Sequence, residues 1–199
     1  MAEILQKPDL HTYGEYLTWT GEHRLELIEG VVYDMSPAPS RRHQEICGEL
    51  FRQVANFLTE KECRVYAAPF DVRLPQSEEQ DEETTTVVQP DISVVCDSAK
   101  LDDRGCRGAP EWVVEIISPA TASRDQIQKV ALYEAHGVQE YWIIHPTDNL
   151  LTIRRLDENG RYGIPKIMEG RGEVRSAILP GLGMDLDAVF KNSNTSPII

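Results

Sequence analysis

The chain has 199 residues, 41% hydrophobic and 27% charged, which reads as one globular domain able to bury its core without disulfide or metal staples. Its 20 Lys and Arg against 33 Asp and Glu leave a formal net charge of −13, opposite to the basic footprint of most nucleic-acid binders. A local basic groove beside acidic surfaces would still be compatible with such a partner. No apolar run is long enough for a membrane span. Met1 to Pro8 lacks the basic and apolar segments of a signal peptide, so a cytoplasmic location is the expectation.

Cys47, Cys63, Cys96 and Cys106 form no C-x-x-C pair, and no two His stand at zinc-ligand spacing. A structural zinc site is therefore not expected, and four reduced thiols are. P-loop, dinucleotide and G-x-S-x-G patterns are absent, which excludes the commonest nucleotide and hydrolase readings.

Along the chain, Leu25 to Met35 reads as two short strands around a Glu29-Gly30 turn. Ser36 to Ser40 breaks the pattern, and Ile46, Leu50, Phe51, Val54, Phe57 and Leu58 then recur at helical spacing. A strand follows near Val65 to Leu74. Gln76 to Thr86, with Glu78, Glu79, Asp81, Glu82 and Glu83, has the composition of a mobile loop. Val87 to Cys96 and Trp112 to Ser118 are almost continuously apolar, as strands covered on both faces are.

Ser123-Arg124-Asp125-Gln126 has a capping-box pattern and predicts a helix that ends near His136, with Gly137 as its stop. Val138 to His145 is another buried strand. Trp112 to His145 thus has the form strand–helix–strand and predicts two parallel neighbours. Leu150 to Leu156 and Tyr162 to Met168 predict a closing meander, and Asp185 to Lys191 a short terminal helix. No repeat or linker divides the chain. The expectation is a single α/β domain over residues 1–199, built on a mixed sheet.

Asp91 and Glu115 stand out because each lies inside an otherwise apolar strand, where an unpaired charge costs several kcal/mol. The short segment between the strands makes them antiparallel neighbours, with both acids on one face. Two converging carboxylates suit a hard cation such as Mg²⁺; the competing reading is a strand-end Asp and a Glu paired with an Arg.

Lys129 falls at the same level. Glu115 lies roughly 10 Å back from the strand end, and Lys129 roughly 9 Å along the returning helix. An ammonium there would hold a water or steady phosphate charge, unless it only pairs with Asp125 on the helix surface. His43, seven residues before Leu50, turns inward as a core or catalytic histidine. Glu29, at the hairpin tip, is either a solvated turn residue or a group reaching the metal.

Taken in order, these segments resemble the Uma-two family of restriction-endonuclease-like proteins, in the PD-(D/E)XK nuclease superfamily. The resemblance runs through Glu26-Leu27-Ile28-Glu29-Gly30, Ser36-Pro37 to His43 and Gln89-Pro90-Asp91-Ile92-Ser93-Val94-Val95. It continues in Pro110 to Pro119, around Glu115, in Asp125 to Lys129, in Tyr133, and in Gly137 to Trp142. It spans about 13–190, the expected core.

The resemblance implies a restriction-endonuclease-like sheet flanked by helices. It also implies Asp91 and Glu115 as ligands of Mg²⁺ or Mn²⁺, and metal-dependent hydrolysis of DNA phosphodiester bonds. Lys129, His43 and Glu29 would complete the catalytic set. The lysine expected two residues after the second acid falls on Ile117, and Lys129 resembles a migrated replacement. A catalytically inactive DNA- or protein-binding domain is the alternative. An assembly or inhibitor subunit is a third reading. A homodimer is expected, from two-strand cutting and from apolar surface at the helix after Ser123 and at Ile178 to Leu182. Arg41, Arg42 and Arg124 are candidate phosphate contacts, with the acidic 78–83 stretch away from the cleft.

Overall fold

The computed structural model describes residues 9–20, 24–35, 38–119 and 121–191. The break expected at Ser36 and Pro37, and the stretch Met1 to Pro8 read for a leader, lie outside the described residues.

Thr12 caps the one-turn helix α1 (Tyr13–Tyr16), its hydroxyl accepting from Glu15 N while the Glu15 carboxylate accepts from Thr12 N. β1 (Leu25–Ile28) and β2 (Val31–Asp34) pair antiparallel. Glu29 and Gly30 between them both have positive φ, 52° and 80°, as a tight two-residue hairpin turn demands. Ser40 caps α2 (Arg41–Phe57) through His43 N, and Ile46, Leu50 and Val54 form its buried stripe.

β3 (Arg64–Ala67) and β4 (Val72–Arg73) follow. The single strand expected over Val87 to Cys96 is two, β5 (Val87–Val88) and β6 (Ile92–Val95). Pro90 has no N–H to give a ladder, and at this point the chain passes from one sheet to another. Next come β7 (Leu101–Asp102), β8 (Gly105–Arg107) and β9 (Trp112–Ile116).

α3 (Lys129–His136) is preceded by a wide π turn over Arg124–Gln128 and stopped by Gly137 at φ 85°. Ser123 makes no capping bond, which corrects the capping-box expectation. Ser118 and Thr121 open the segment instead, each hydroxyl accepting from the other's backbone N–H. The chain then runs through β10 (Glu140–His145), β11 (Leu150–Arg155), β12 (Lys166–Glu169), β13 (Glu173–Arg175), β14 (Gly183–Asp185) and α4 (Leu186–Val189).

Two six-stranded sheets result, in the orders β2-β1-β5-β4-β8-β7 and β12-β11-β10-β9-β6-β3, with β13 and β14 as a separate pair. In the second sheet β9 and β10 run parallel across α3, and β6 is antiparallel to β9. Alternation along these strands supplies two cores. Val94, Trp112, Val114, Trp142 and Ile144 meet the α2 stripe. Val113, Tyr141 and Ile143 meet Leu132 and Tyr133 of α3 together with Ile28, Val72 and Val88 of the first sheet. The buried Trp112 and Trp142 rings meet edge to face at 4.7 Å, worth about 0.5–1.5 kcal/mol beyond their burial.

Three further expectations are corrected. The acidic stretch folds as a 3₁₀ turn over Asp81–Glu83, because the buried Arg73 requires counter-charges. Its guanidinium lies 2.6 Å from both Asp81 and Asp102. Cys63 and Cys96 form a disulfide, because they flank the Arg64↔Val95 ladder pair with Cα atoms 3.9 Å apart; only Cys47 and Cys106 are free thiols. Leu179 and Leu182, expected as uncovered surface, are buried in the α2 core. No helix among the described residues is long and apolar enough to cross a membrane.

Candidate active site

The site forms where β6 begins beside the end of β9. Ile92 pairs with Val114, so the antiparallel register sets Asp91 opposite Glu115. Asp91 lies just before β6, and its side chain does the work of a strand partner: Oδ2 accepts from Ile116 N at 2.7 Å. The same oxygen is 3.1 Å from His43 Nε2, which α2 carries in its first turn. His43 Nδ1 is buried with no hydrogen-bond partner among the described residues.

Glu115 Oε1 accepts from Lys129 Nζ and from Tyr133 OH, both at 2.8 Å. Lys129 donates equally to Glu26 Oε1, also at 2.8 Å, and stands 3.8 Å from Asp125 Oδ1. Glu26 Oε1 in turn accepts from Gln89 N. One carboxylate thus ties the hairpin, the β5–β6 link and α3 together. Arg124 stacks over the Tyr33 ring at 4.4 Å, with Nη1 3.7 Å from Glu26 Oε2.

Four carboxylates (Glu26, Asp91, Glu115, Asp125) therefore face two permanent cations, Lys129 and Arg124. Burial pushes the Glu115 carboxyl up to about 8; the Lys129 ammonium opposes this, while Asp125, Asp91 and Glu26 add to it. Burial likewise raises Asp125. For Lys129, burial works against the charge, but Glu115, Glu26 and Asp125 outweigh it and hold the ammonium above its usual value. A protonated Lys129 is a charge donor and cannot serve as a base.

The structure brings Asp91, Glu115, Lys129 and His43 together, and it does not bring Glu29. Glu29 sits in the turn beyond the last ladder pair of the hairpin, where its N–H donates to Thr86 Oγ1. Its side chain lines a separate cleft with Gln128 and His136. Glu26 is the acid that the hairpin contributes. It carries the signal that marked Asp91 and Glu115, an acid among apolar strand neighbours, and belonged in the same set. Asp125 and Tyr133 complete the cluster by helical spacing from Lys129.

Of the expected phosphate contacts at the start of α2, Arg42 is engaged by the fold, through the Phe190 and Lys191 carbonyls, and Arg41 stands in an exposed ion pair with Glu45.

No group of three or more ligating side chains is set for a metal among the described residues. A cation here would have Asp91 and Glu115 as its protein carboxylates, the small set that Mg²⁺ accepts alongside water and substrate phosphate. The donor chemistry fits. The cluster carries excess negative charge, Glu26 Oε2 is buried without a hydrogen bond among the described residues, and Glu115 is lifted first by burial and then by Asp125, Asp91 and Glu26.

The family model described as "Putative restriction endonuclease", Uma2, matches residues 13–187. The chain belongs to the Uma2 family. An uncharacterized protein of Synechocystis sp. is 26% identical over 182 residues, covering 89% of this chain and 90% of its own length. A crystal structure titled as a "putative nuclease belonging to DUF820", from Anabaena variabilis, superposes with a TM-score of 0.71 at 20% identity. It covers 90% of this chain and 97% of the other, a likeness of fold that agrees with the restriction-endonuclease-like expectation. In this Uma2 chain, Ile117 packs beside the core shared by α3 and the first sheet. The cation at Glu115 comes from α3 instead, through Lys129.

Proposed function

We propose that the protein is a divalent-cation-dependent nuclease that hydrolyses DNA phosphodiester bonds at Asp91 and Glu115. The observation that carries this reading is the convergence of Asp91, Glu115 and Lys129 from three separate elements at one strand end, with Lys129 Nζ 2.8 Å from Glu115 Oε1. Membership of the Uma2 family supports it.

Asp91 and Glu115 would hold Mg²⁺ or Mn²⁺. When bound, the ion would supply Lewis-acid stabilisation of the phosphoryl oxygen and acidify a water. The Ile116 N–H and His43 fix Asp91 Oδ2, and so aim the other oxygen. Lys129, sealed behind Glu115, would hold that carboxylate in place and set a permanent positive charge behind the metal ligands. His43, mostly buried beside Asp91 and lining its cleft, would orient Asp91.

The test is incubation of supercoiled plasmid and linear single-stranded DNA with Mg²⁺, Mn²⁺ or chelator. Products are expected only with metal, and Asp91→Ala should abolish them. An Asp91→Ala protein that cuts as fast as wild type would falsify the assignment. Burial of Glu115, with its carboxyl near 8, favours a second reading, a nuclease-like domain that binds DNA or a partner protein without cutting it. DNA retention with no products in any metal would select that reading. Cutting of both strands of a duplex would call for two copies, a cytoplasmic homodimer whose mass light scattering would read.

A further inference from the structure

Access decides what this site can receive. Glu26, Lys129 and Glu115 are sealed, at 0%, 1% and 4% exposure, whereas Asp91 opens into a cleft of about 180 Å³ between α2 and the end of β3. Arg24, His43, Gln44, Gly48 and Ala68 line it together with Asp91. That volume is below the roughly 300–1,000 Å³ of pockets that enclose whole small ligands, and suits one backbone unit of a longer chain.

Arg24 is the cation placed to meet that unit. Its Nε donates to Gln89 Oε1 at 3.1 Å, a neutral partner that fixes the guanidinium without cancelling its charge. The neighbouring arginines are spent elsewhere: Arg41 on Glu45, Arg42 on backbone carbonyls, Arg124 beside Glu26. Among the described residues no carboxylate forms an ion pair with Arg24. A planar guanidinium fork held in this way matches a phosphate.

The same facts argue against a duplex. Two backbones require cations on both flanks of the site, and here one arginine, without a carboxylate partner among the described residues, serves a narrow cleft on a chain of net charge −13. We infer that the Asp91 cleft binds single-stranded DNA, taking one sugar–phosphate unit with Arg24 on the phosphate beside the scissile one. The inference rests on the nuclease reading only for which phosphate is cut. One strand needs one active site, so a second copy is not required.

Gly48 makes the test clean. A Cβ added there meets nothing within 4 Å, so Gly48→Leu starts its side chain in open space at the cleft, and it removes a helix-interior glycine, itself destabilising. Fluorescence anisotropy of labelled oligo-dT and of a duplex of equal length, in chelator, reads binding apart from cleavage. Wild type should bind the single strand more tightly. Arg24→Ala should bind it at least about ten-fold more weakly, with a salt slope shallower by about 0.7. Gly48→Leu should also lose binding while its melting temperature holds or rises.

Equal or tighter binding of the duplex, wild-type binding by both variants, or no binding of either oligonucleotide would overturn the inference. Cleavage is scored separately with Mg²⁺. Oligo-dT held without products would remove the nuclease reading and leave this one. Duplex cutting that Arg24→Ala does not alter would do the reverse.

Discussion

Lys129 Nζ stands 2.8 Å from Glu115 Oε1, although one residue lies on α3 and the other on β9. Both side chains are buried, and Glu26 and Asp125 share the same ammonium. Removing one partner of a buried ion pair leaves uncompensated charge at a cost of about 3–5 kcal/mol. Lys129→Met should lose stability of that order in urea denaturation. The loss should be larger at pH 8 than at pH 5, where the stranded carboxylates can take up protons. A loss below about 1 kcal/mol at both pH values would mean that the carboxylates do not depend on this lysine.

Glu115 gives a pH signature of its own in metal-free buffer. Its carboxyl is pushed by burial from the ordinary 4.5 to about 8, so between those values the folded chain keeps a proton that the unfolded chain has released. Stability from that proton is complete below about 4.5 and is lost as pH rises toward about 8. Lys129 and Tyr133 both use Oε1, and the amide oxygen of Gln can accept both bonds. Glu115→Gln should therefore match wild type in melting temperature near pH 4 and exceed it at pH 8. Parallel melting curves across that range would show that Glu115 is ionised throughout.

Much of this site is legible in the sequence because burying a carboxylate in an apolar strand is costly enough to need a reason. That argument finds Asp91 and Glu115, and periodicity with helix rise puts Lys129 at their level. Glu26 obeys the same rule, and fails to stand out only because Glu29 lies three residues away in a turn that looks equally able to reach the metal. The distinction lies in the hairpin register, which ends at Ile28↔Val31 and leaves Glu29 outside the ladder. The second sheet is hidden for a different reason. Val87 to Cys96 is apolar on both sides of Pro90, and hydrophobicity cannot say that the two halves pair with different partners. Asp81 looked like solvated charge because nothing in the sequence marks Arg73, eight residues earlier, as a buried cation that needs it.

The cysteines offer a chemical check on the sheet register. Cys63 and Cys96 close a loop with a sequence separation of 33, and cross-linking a loop of that length stabilises by about 3–4 kcal/mol in the chain-entropy picture. Thiol titration in denaturant without reductant should count the two free thiols, Cys47 and Cys106, and all four cysteines after reduction. Cys63→Ser should lower stability measurably under oxidising conditions and have little effect under reducing ones. Four titratable thiols without reductant would show the bridge to be open.

Arg41 and Arg42 are neighbours in sequence at the start of α2, yet they should respond to alanine in different ways. Arg42 donates to Lys191 O at 2.8 Å, to Phe190 O at 2.7 Å and to Asn149 Oδ1 at 3.2 Å. It thereby fastens the helix start to the segment after α4. Hydrogen bonds from a charged donor are worth about 1.5–3 kcal/mol each when removed, less where water replaces them, so Arg42→Ala should unfold at clearly lower urea. Arg41 makes an exposed i,i+4 pair with Glu45, a class of contact worth about 0.3–0.5 kcal/mol, and Arg41→Ala should be nearly silent. Neither change should weaken oligonucleotide binding at a temperature where both variants are folded, because Arg42 is held against the C-terminal carbonyls and Arg41 is already opposed by a carboxylate. If Arg42→Ala instead keeps full stability and loses DNA binding, the C-terminal fastening is expendable and the nucleic acid runs along the start of α2, not into the cleft beside Arg24.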